Sequence, residues 1–402
     1  VDFTEDPDHR LIREAVREIC TRFPDEYWAA LEESHTFPWD FYDAMAKAGW
    51  IGIAIPEEYG GGGRGITEAS IVLEEVAASG ACMNGASSIH LSIFGMHPVL
   101  RHGSAELKQR HLPRVATGDL HVAFGVTEPD AGLDTTAIRT RAVHVKGDSA
   151  GGMGRRAGGG DGYRVTGRKV WTSKALESER VLLLTRTTPV EECAKRTDGM
   201  TLFVAPLKDP AVTIRPIPKL GRNAVASCEV TYDGLYVDAR DRVGEEGKGF
   251  GYLLDGLNAE RVLVASEALG TGRAALRRAV AYAKARIVFG RPIGQNQGIS
   301  FPLAEAHARL GAAELAIRQA SWRIDHDQPA GEQANLAKFL AAEAGFQAAD
   351  AALQTHGGFG YANEYHVERY WREARLMRIA PVPQEMVLNY LAEHVLGLPR
   401  SY

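Results

Sequence analysis

Apolar residues recur at helical spacing through residues 1–121. Leu11, Ile12, Ala15, Val16, Ile19 and Cys20 line one side of a first helix, and Phe41, Met45, Ala48 and Trp50 resume the pattern after Pro38. The glycine run Gly60 to Gly63 interrupts it. A helix of small residues is predicted over 67–78, and a further apolar stretch holds Ile89, Leu91, Ile93 and Leu100. From Val122 the period changes. Short β-branched segments bounded by Gly, Pro or Asp predict strands at 122–127, 163–172, 180–187, 200–206, 212–216 and 228–237. With no long helix between them, they predict one antiparallel β unit. The helical period resumes near Gly249, where Leu253, Leu254, Leu257, Val262 and Leu263 open a long helix. Further helices are predicted over 301–325, 331–357 and 383–396. The fold class is α+β, mainly α, in the order helices, strands, helices.

Glycine-rich stretches invite a nucleotide-binding reading, which their context rejects. Gly270-Thr271-Gly272-Arg273-Ala274-Ala275 has the letters of a dinucleotide fingerprint but lies inside a helical pattern with no strand before it. Small residues that let helices pack closely explain it better. Gly152-Met153-Gly154-Arg155-Arg156-Ala157 fails likewise, and the segment 144–162 around it reads as a mobile hairpin loop.

Size and composition narrow the class. A chain of 402 residues exceeds one compact core, so two or three packed units are expected. Hydrophobic residues make up 45% and charged residues 24%, as in a soluble globular protein, and the formal charge of −5 argues against a nucleic-acid binder. The four cysteines form no CxxC pair, so neither a zinc site nor a disulfide framework is expected, and a reducing, cytoplasmic setting fits. The polar, acidic stretch from Val1 to Asp8 predicts no signal peptide, and no apolar run predicts a membrane span.

Four segments carry candidate chemistry, each with an ordinary alternative. Thr127-Glu128-Pro129-Asp130-Ala131-Gly132 follows the first predicted strand and could present backbone groups to a flat heterocycle, or be a simple Pro-Asp turn. Lys169-Val170-Trp171-Thr172-Ser173 sets an indole beside two hydroxyls, suited to a ring face and a ring nitrogen, or to a strand core. Arg286-Ile287-Val288-Phe289-Gly290-Arg291-Pro292-Ile293, with Gln297 beyond it, could hold a pyrophosphate and an adenine, or be a basic helix end. Gln354-Thr355-His356-Gly357-Gly358-Phe359-Gly360 could form an anion-binding concavity, or cap a helix.

Taken together and in this order, TEPDAGLDT, KVWTSKA, FGRPIGQNQ, QTHGGFGY and EYHVERYWREAR resemble the acyl-CoA dehydrogenase family over essentially the whole chain. The resemblance implies an N-terminal helical domain at 1–121, a central antiparallel β domain at 122–240 and a C-terminal four-helix bundle at 241–402. It implies FAD as cofactor, an acyl-CoA substrate, an electron-transfer flavoprotein as acceptor, a place in fatty-acid or branched-chain acyl metabolism, and a homotetramer built as a dimer of dimers. Phe124, Val126, Thr127 and Gly132 are then expected at the flavin, with Trp171 over the ring and Thr172 and Ser173 near its N5 edge. Arg286, Phe289, Gln297, Gln354, Gly357 and Gly358 are expected to serve the FAD of a neighbouring subunit.

The implied reaction removes an α-proton and passes a β-hydride to flavin N5. It needs a desolvated carboxylate against the α-carbon and donors on the thioester carbonyl. Many relatives place the carboxylate just after the arginine-rich strip, where this chain has Pro381. The isovaleryl and long-chain types carry it on the long helix, immediately before an Arg. Glu260-Arg261 stands at that place, so Glu260 is assigned as base and Arg261 as a contact to the CoA portion. An exposed helical role for Glu260, a structural salt bridge for Arg261, and Glu385 as base are the alternatives. Pro381 also removes a backbone N–H that polarises the carbonyl in relatives, and Leu133 replaces a usual serine. An oxygen-reactive relative on the same fold, an oxidase or flavin monooxygenase, and a non-catalytic binding protein are the competing functions.

Overall fold

The computed structural model describes residues 4–146 and 160–401. Among the described residues, seven α-helices come first: α1 (Pro7–Cys20), α2 (Asp25–Ser34), α3 (Trp39–Lys47), α4 (Ile66–Val76), α5 (Cys82–Phe94), α6 (His97–His102) and α7 (Ala105–Ala116). Local chemistry starts them. Pro7 stands in the first turn of α1 with Asp6 as its cap, and the Ser104 hydroxyl accepts from the Leu107 N–H to begin α7. A wide π turn over Ala77–Ala81, with Gly80 at φ 107°, separates α4 from α5. Nearly every residue of α5 is buried, so this helix runs through the protein rather than along its surface.

Among the described residues, eight strands form the main sheet: β1 (Val122–Gly125), β2 (Arg141–Val145), β3 (Gly162–Ser173), β4 (Arg180–Arg186), β5 (Met200–Pro206), β6 (Val212–Pro216), β7 (Ser227–Asp238) and β8 (Arg242–Val243). Their order is β6-β7-β3-β2-β4-β5-β8, with β1 added on β4. Pairing is mainly antiparallel, as expected, with two departures on β4: β1 runs parallel to it, Val122 opposite Arg180, and β2 meets it in parallel at Arg141 and Arg186. A parallel pair needs a long crossover, and the β2–β3 hairpin supplies it. The segment 144–162, expected as a loop, is strand at its described ends, where His144 pairs with Tyr163 and Val145 with Gly162. Residues 147–159, and with them Gly152 to Ala157, lie outside the described residues.

The chain then returns to helices: α8 (Gly249–Asp255), α9 (Leu257–Ala285), α10 (Gln297–Asp325), α11 (Gly331–His356), α12 (Val367–Leu376) and α13 (Gln384–Tyr390). A small hairpin of β9 (Ile287–Val288) and β10 (Arg291–Pro292) links α9 to α10. The long helices α9, α10 and α11 pack on one another, and α12 lies against α9 and α11 to complete the bundle. Gly270 to Ala275 lies within α9, where small residues do allow close approach. A Cβ on Gly272 would stand 2.8 Å from the Gly345 Cα on α11. Among the described residues no helix is long and apolar enough to cross a membrane.

Side chains from the first helices and from the bundle share a single apolar core, running from Val16 and Trp28 through Val76 and Leu263 to Ala348 and Tyr370. The two faces of the sheet carry separate cores, one including Leu182 and Leu202, the other Val165 and Phe203. Helix α5 is therefore packed against α9 on one side and reaches β1 on the other.

Candidate active site

Two motifs about 40 residues apart in sequence are locked together at one end of the sheet. The Val170 N–H donates to the Thr127 carbonyl at 2.9 Å. The Lys169 ammonium donates to the Val126 carbonyl at 2.9 Å and to a Glu128 carboxylate oxygen at 2.8 Å. Glu128 also accepts from the backbone N–H groups of Arg139 and Thr140, at 2.6 and 2.9 Å. Burial alone would raise the Glu128 carboxyl, but the Lys169 charge and these N–H donors hold it below the ordinary carboxylate range.

The clamp sets an edge with an uncovered aromatic on it. The pairing of β3 with β7 breaks register between Lys169 and Thr172, and Trp171 takes φ 60° there. A bulge of this kind re-aims a side chain, and the Trp171 indole is 56% exposed. Phe124, Val126, Thr127 and Ser173 are half-buried, and Gly132 is exposed with positive φ. Thr172 differs from its neighbours. It is fully buried, and its hydroxyl has no partner among the described residues.

A second open surface lies where α9 meets the end of α11. Tyr282, Arg286, His356, Gly357, Gly358 and Phe359 are among the residues lining a cleft of about 580 Å³. The Arg286 guanidinium sits over the Phe359 ring at 5.7 Å. Gly357 has φ 60° and nothing within 4 Å of a built Cβ, so the backbone is bare on that side. The cleft gathers Arg286, Gly357 and Gly358; Gln297 and Gln354 are exposed and do not line it. Phe289, at the tip of the β9–β10 hairpin with φ 53°, is wholly exposed.

The expected base sits in the first turn of α9. The Glu260 side chain retains 23% of its exposure, and its Oε2 lies 2.8 Å from Nε2 of His90 on α5. The other ring nitrogen of His90, Nδ1, lies 2.6 Å from Oε1 of Glu267. Burial opposes a charge on this ring, yet Glu260 and Glu267 together hold its pKa well above the ordinary histidine value. By contrast Glu385 is exposed on α13, and Pro381 is exposed in the link before it. Arg261 donates to the Asn258 side chain at 3.0 Å and makes no ion pair among the described residues. Its Nε is buried without a partner among the described residues.

Sequence reasoning missed the groups behind Glu260. Besides His90 and Glu267 these are Arg222 and Lys174, both at φ 60°. Arg222 donates to the hydroxyls of Ser173 and Ser227 at 3.1 and 2.5 Å, so it reaches from the Trp171 edge toward Glu267. The buried Lys174 donates to the Ser88 carbonyl and the Ser92 hydroxyl at 2.8 and 3.2 Å, docking the end of β3 on α5. Burial pushes its ammonium down to about 7. A glutamate in the otherwise apolar and small stretch 262–272 was the available signal for a hidden cation.

The N-terminal, middle and C-terminal domains of acyl-CoA dehydrogenase match residues 6–119, 123–235 and 247–396. The chain belongs to the acyl-CoA dehydrogenase family. Members of this family are oxidoreductases acting on CH–CH bonds. An acyl-CoA dehydrogenase of Mycobacterium tuberculosis is 37% identical over 405 aligned positions, covering 100% of this chain and 99% of that protein. A 3-(aryl)acrylate reductase of Clostridium sporogenes is 32% identical and covers 98% and 99%. Among solved structures, a glutaryl-coenzyme A dehydrogenase bound to glutaryl-CoA superposes with a TM-score of 0.91 at 26% identity, covering 100% and 98%.

Proposed function

We propose that this acyl-CoA dehydrogenase family member binds FAD and oxidises the Cα–Cβ bond of an acyl-CoA thioester to the trans-2-enoyl product, with Glu260 as the base. The observation that carries this reading is the Glu260 carboxylate, largely shielded from water yet, among the described residues, ionically partnered on one oxygen only. That leaves the lone pairs of its second oxygen to meet the proton on a substrate carbon.

The residues fit the cofactor. Trp171 offers an uncovered ring face, Ser173 a hydroxyl beside it, and Thr172 an orphaned hydroxyl one residue away. The bare backbone at Gly357 and Gly358, with Arg286 alongside, suits a diphosphate from a neighbouring subunit. The exposed Phe289 suits the same contact, in a homotetramer. FAD, when bound, supplies the acceptor for the β-hydride. The chain does the rest. Glu260 takes the α-proton, α5 and the Trp171 edge exclude water, and Arg261 meets the CoA portion. An electron-transfer flavoprotein is the proposed acceptor of the electrons.

The similarity to an acrylate reductase favours one second reading, the same site run in reverse, with Glu260 donating its proton to an enoyl carbon. Both readings are tested by mixing the FAD-loaded protein, without oxygen, with a panel of saturated and unsaturated thioesters. Bleaching of the oxidised flavin by a saturated thioester is the expected result. Reoxidation of dithionite-reduced flavin by enoyl thioesters, with no saturated thioester bleaching it, would favour the reductive direction. Silence in both directions would overturn the proposal.

A further inference from the structure

We infer that His90 is a positioning residue for Glu260: its Nε2–H holds carboxylate oxygen Oε2, leaving Oε1 as the oxygen that takes the α-proton. The inference rests on Glu260 being the base. It starts from a spacing. Glu260 and Glu267 are seven residues apart, two turns along one face of α9, which separates their backbones by about 10 Å. Two long carboxylate side chains converge on one imidazole from that face, and the ring is 6% exposed.

Proton counting fixes what this arrangement does. A carboxylate only accepts hydrogen bonds, so contacts at 2.6 and 2.8 Å to two ionised carboxylates require a proton on each ring nitrogen. A neutral ring with its single N–H toward Glu267 would turn a lone pair on Oε2, unless Glu260 itself carried a proton. A protonated Glu260 is no base. The doubly protonated ring satisfies both carboxylates in their ionised form and leaves Glu260 ready to react.

The surrounding charges support that form. Glu260 and Glu267 face the ring from α9. Arg222, from the segment before β7, acts on Glu267, and Lys174, at the end of β3, donates to Ser88 and Ser92 on the neighbouring turns of α5. Farther along α5, Glu373 of α12 accepts from Asn84. The sequence of charges from the interior to the site is Arg222, Glu267, His90, Glu260, alternating in sign. In the reaction the substrate's Cα–H bond breaks, the proton joins Oε1, and the electron pair stays on the substrate. His90 keeps both its protons, and none passes through it.

The test compares wild type, Glu260→Gln, His90→Phe, His90→Gln and Glu267→Gln as FAD-loaded enzymes in anaerobic single turnovers at saturating acyl-CoA. Loss of the positioning bond in His90→Phe is expected to slow bleaching about 100-fold, with the thioester dissociation constant within about threefold of wild type. His90→Gln restores one uncharged donor and is expected to recover about tenfold of that loss. Deuterium wash-in from D2O into acetyl-CoA, which has α-hydrogens and no β-carbon, is expected to fall by the same factor as bleaching. In Glu267→Gln the alkaline limb of the pH profile is expected to move down by about one unit or more, because the imidazolium loses a counter-charge.

If Glu260→Gln bleaches at the wild-type rate, the base assignment falls and the inference with it. If Glu260→Gln is silent while His90→Phe stays within about threefold of wild type, the inference alone is overturned. A rise in dissociation constant that accounts for the whole loss, or an alkaline limb unmoved in Glu267→Gln, also overturns it. Should His90→Phe not fold, His90→Gln carries the same readouts, and an unchanged wash-in rate there contradicts the inference.

Discussion

The Lys169 ammonium lies 2.8 Å from a Glu128 carboxylate oxygen, and both side chains are buried. This pair ties the loop after β1 to the strand that presents Trp171. Removing one member of a buried pair strands the other charge and costs about 3–5 kcal/mol. Lys169→Met should therefore lower the melting temperature by several degrees and release FAD, which thermal unfolding and the flavin-to-protein absorbance ratio will show.

The same carboxylate makes stability depend on acid. The Glu128 pKa is depressed in the folded protein, so its contribution is fully present above the ordinary carboxylate value and is lost as pH falls through the depressed one. Wild type should lose stability between roughly pH 5 and 3 more steeply than Glu128→Gln, which should be weaker at neutral pH. Urea midpoints measured across that range check both statements. Parallel slopes would contradict them.

A carboxylate from the bundle caps a helix of the N-terminal part. Asp325, the last residue of α10, accepts from the N–H groups of Ile66 and Thr67 at 2.6 and 2.9 Å, where the cap residue of α4, Gly65, has no side chain to offer them. Asp325→Ala should cost about 1–2 kcal/mol in urea unfolding, and Asp325→Asn distinctly less.

Phe289 and Arg286 should act on assembly and cofactor rather than on chemistry. Phe289→Ala removes an aromatic that is wholly exposed, so subunit stability should hardly change. Each of Phe289→Ala and Arg286→Ala should weaken FAD retention about tenfold or more, read by dialysis and flavin fluorescence, with sedimentation reporting the oligomer. FAD retention equal to wild type in both would count against a cofactor shared between subunits.

Much of the fold was legible because its signals are local. The strands at 200–206 and 212–216 have the bounds predicted for them, set by Gly, Pro and Asp at their ends. Strand β2 was missed. Its pattern, Arg141 to Val145, mixes polar and apolar residues and runs into the glycine-rich segment. The break at Gly256 was invisible, since Leu253, Leu254 and Leu257 continue one apolar period across it. The helix predicted over 383–396 holds as α-helix only to Tyr390, then widens into a π turn.

Glu260 was singled out as the candidate base by its place before Arg261 on the long helix. His90 was not, because a single histidine in an apolar helix carries no sign of its partner. Its contact with Glu260 spans 170 positions and exists only once α5 has packed on α9. The same holds for Thr172. Its letters promised a second hydroxyl on the open edge, and only the register break in β3 reveals that the side chain is buried.

The assignment of the base is the centre of the account, and one comparison tests it most directly. FAD-loaded Glu260→Gln and Glu385→Gln are mixed without oxygen with a thioester that bleaches the wild-type flavin. Glu260→Gln should keep its FAD and lose bleaching by about 10³-fold, while Glu385→Gln stays within about threefold of wild type. Near-wild-type bleaching by Glu260→Gln, or a comparable collapse in Glu385→Gln, would contradict the account.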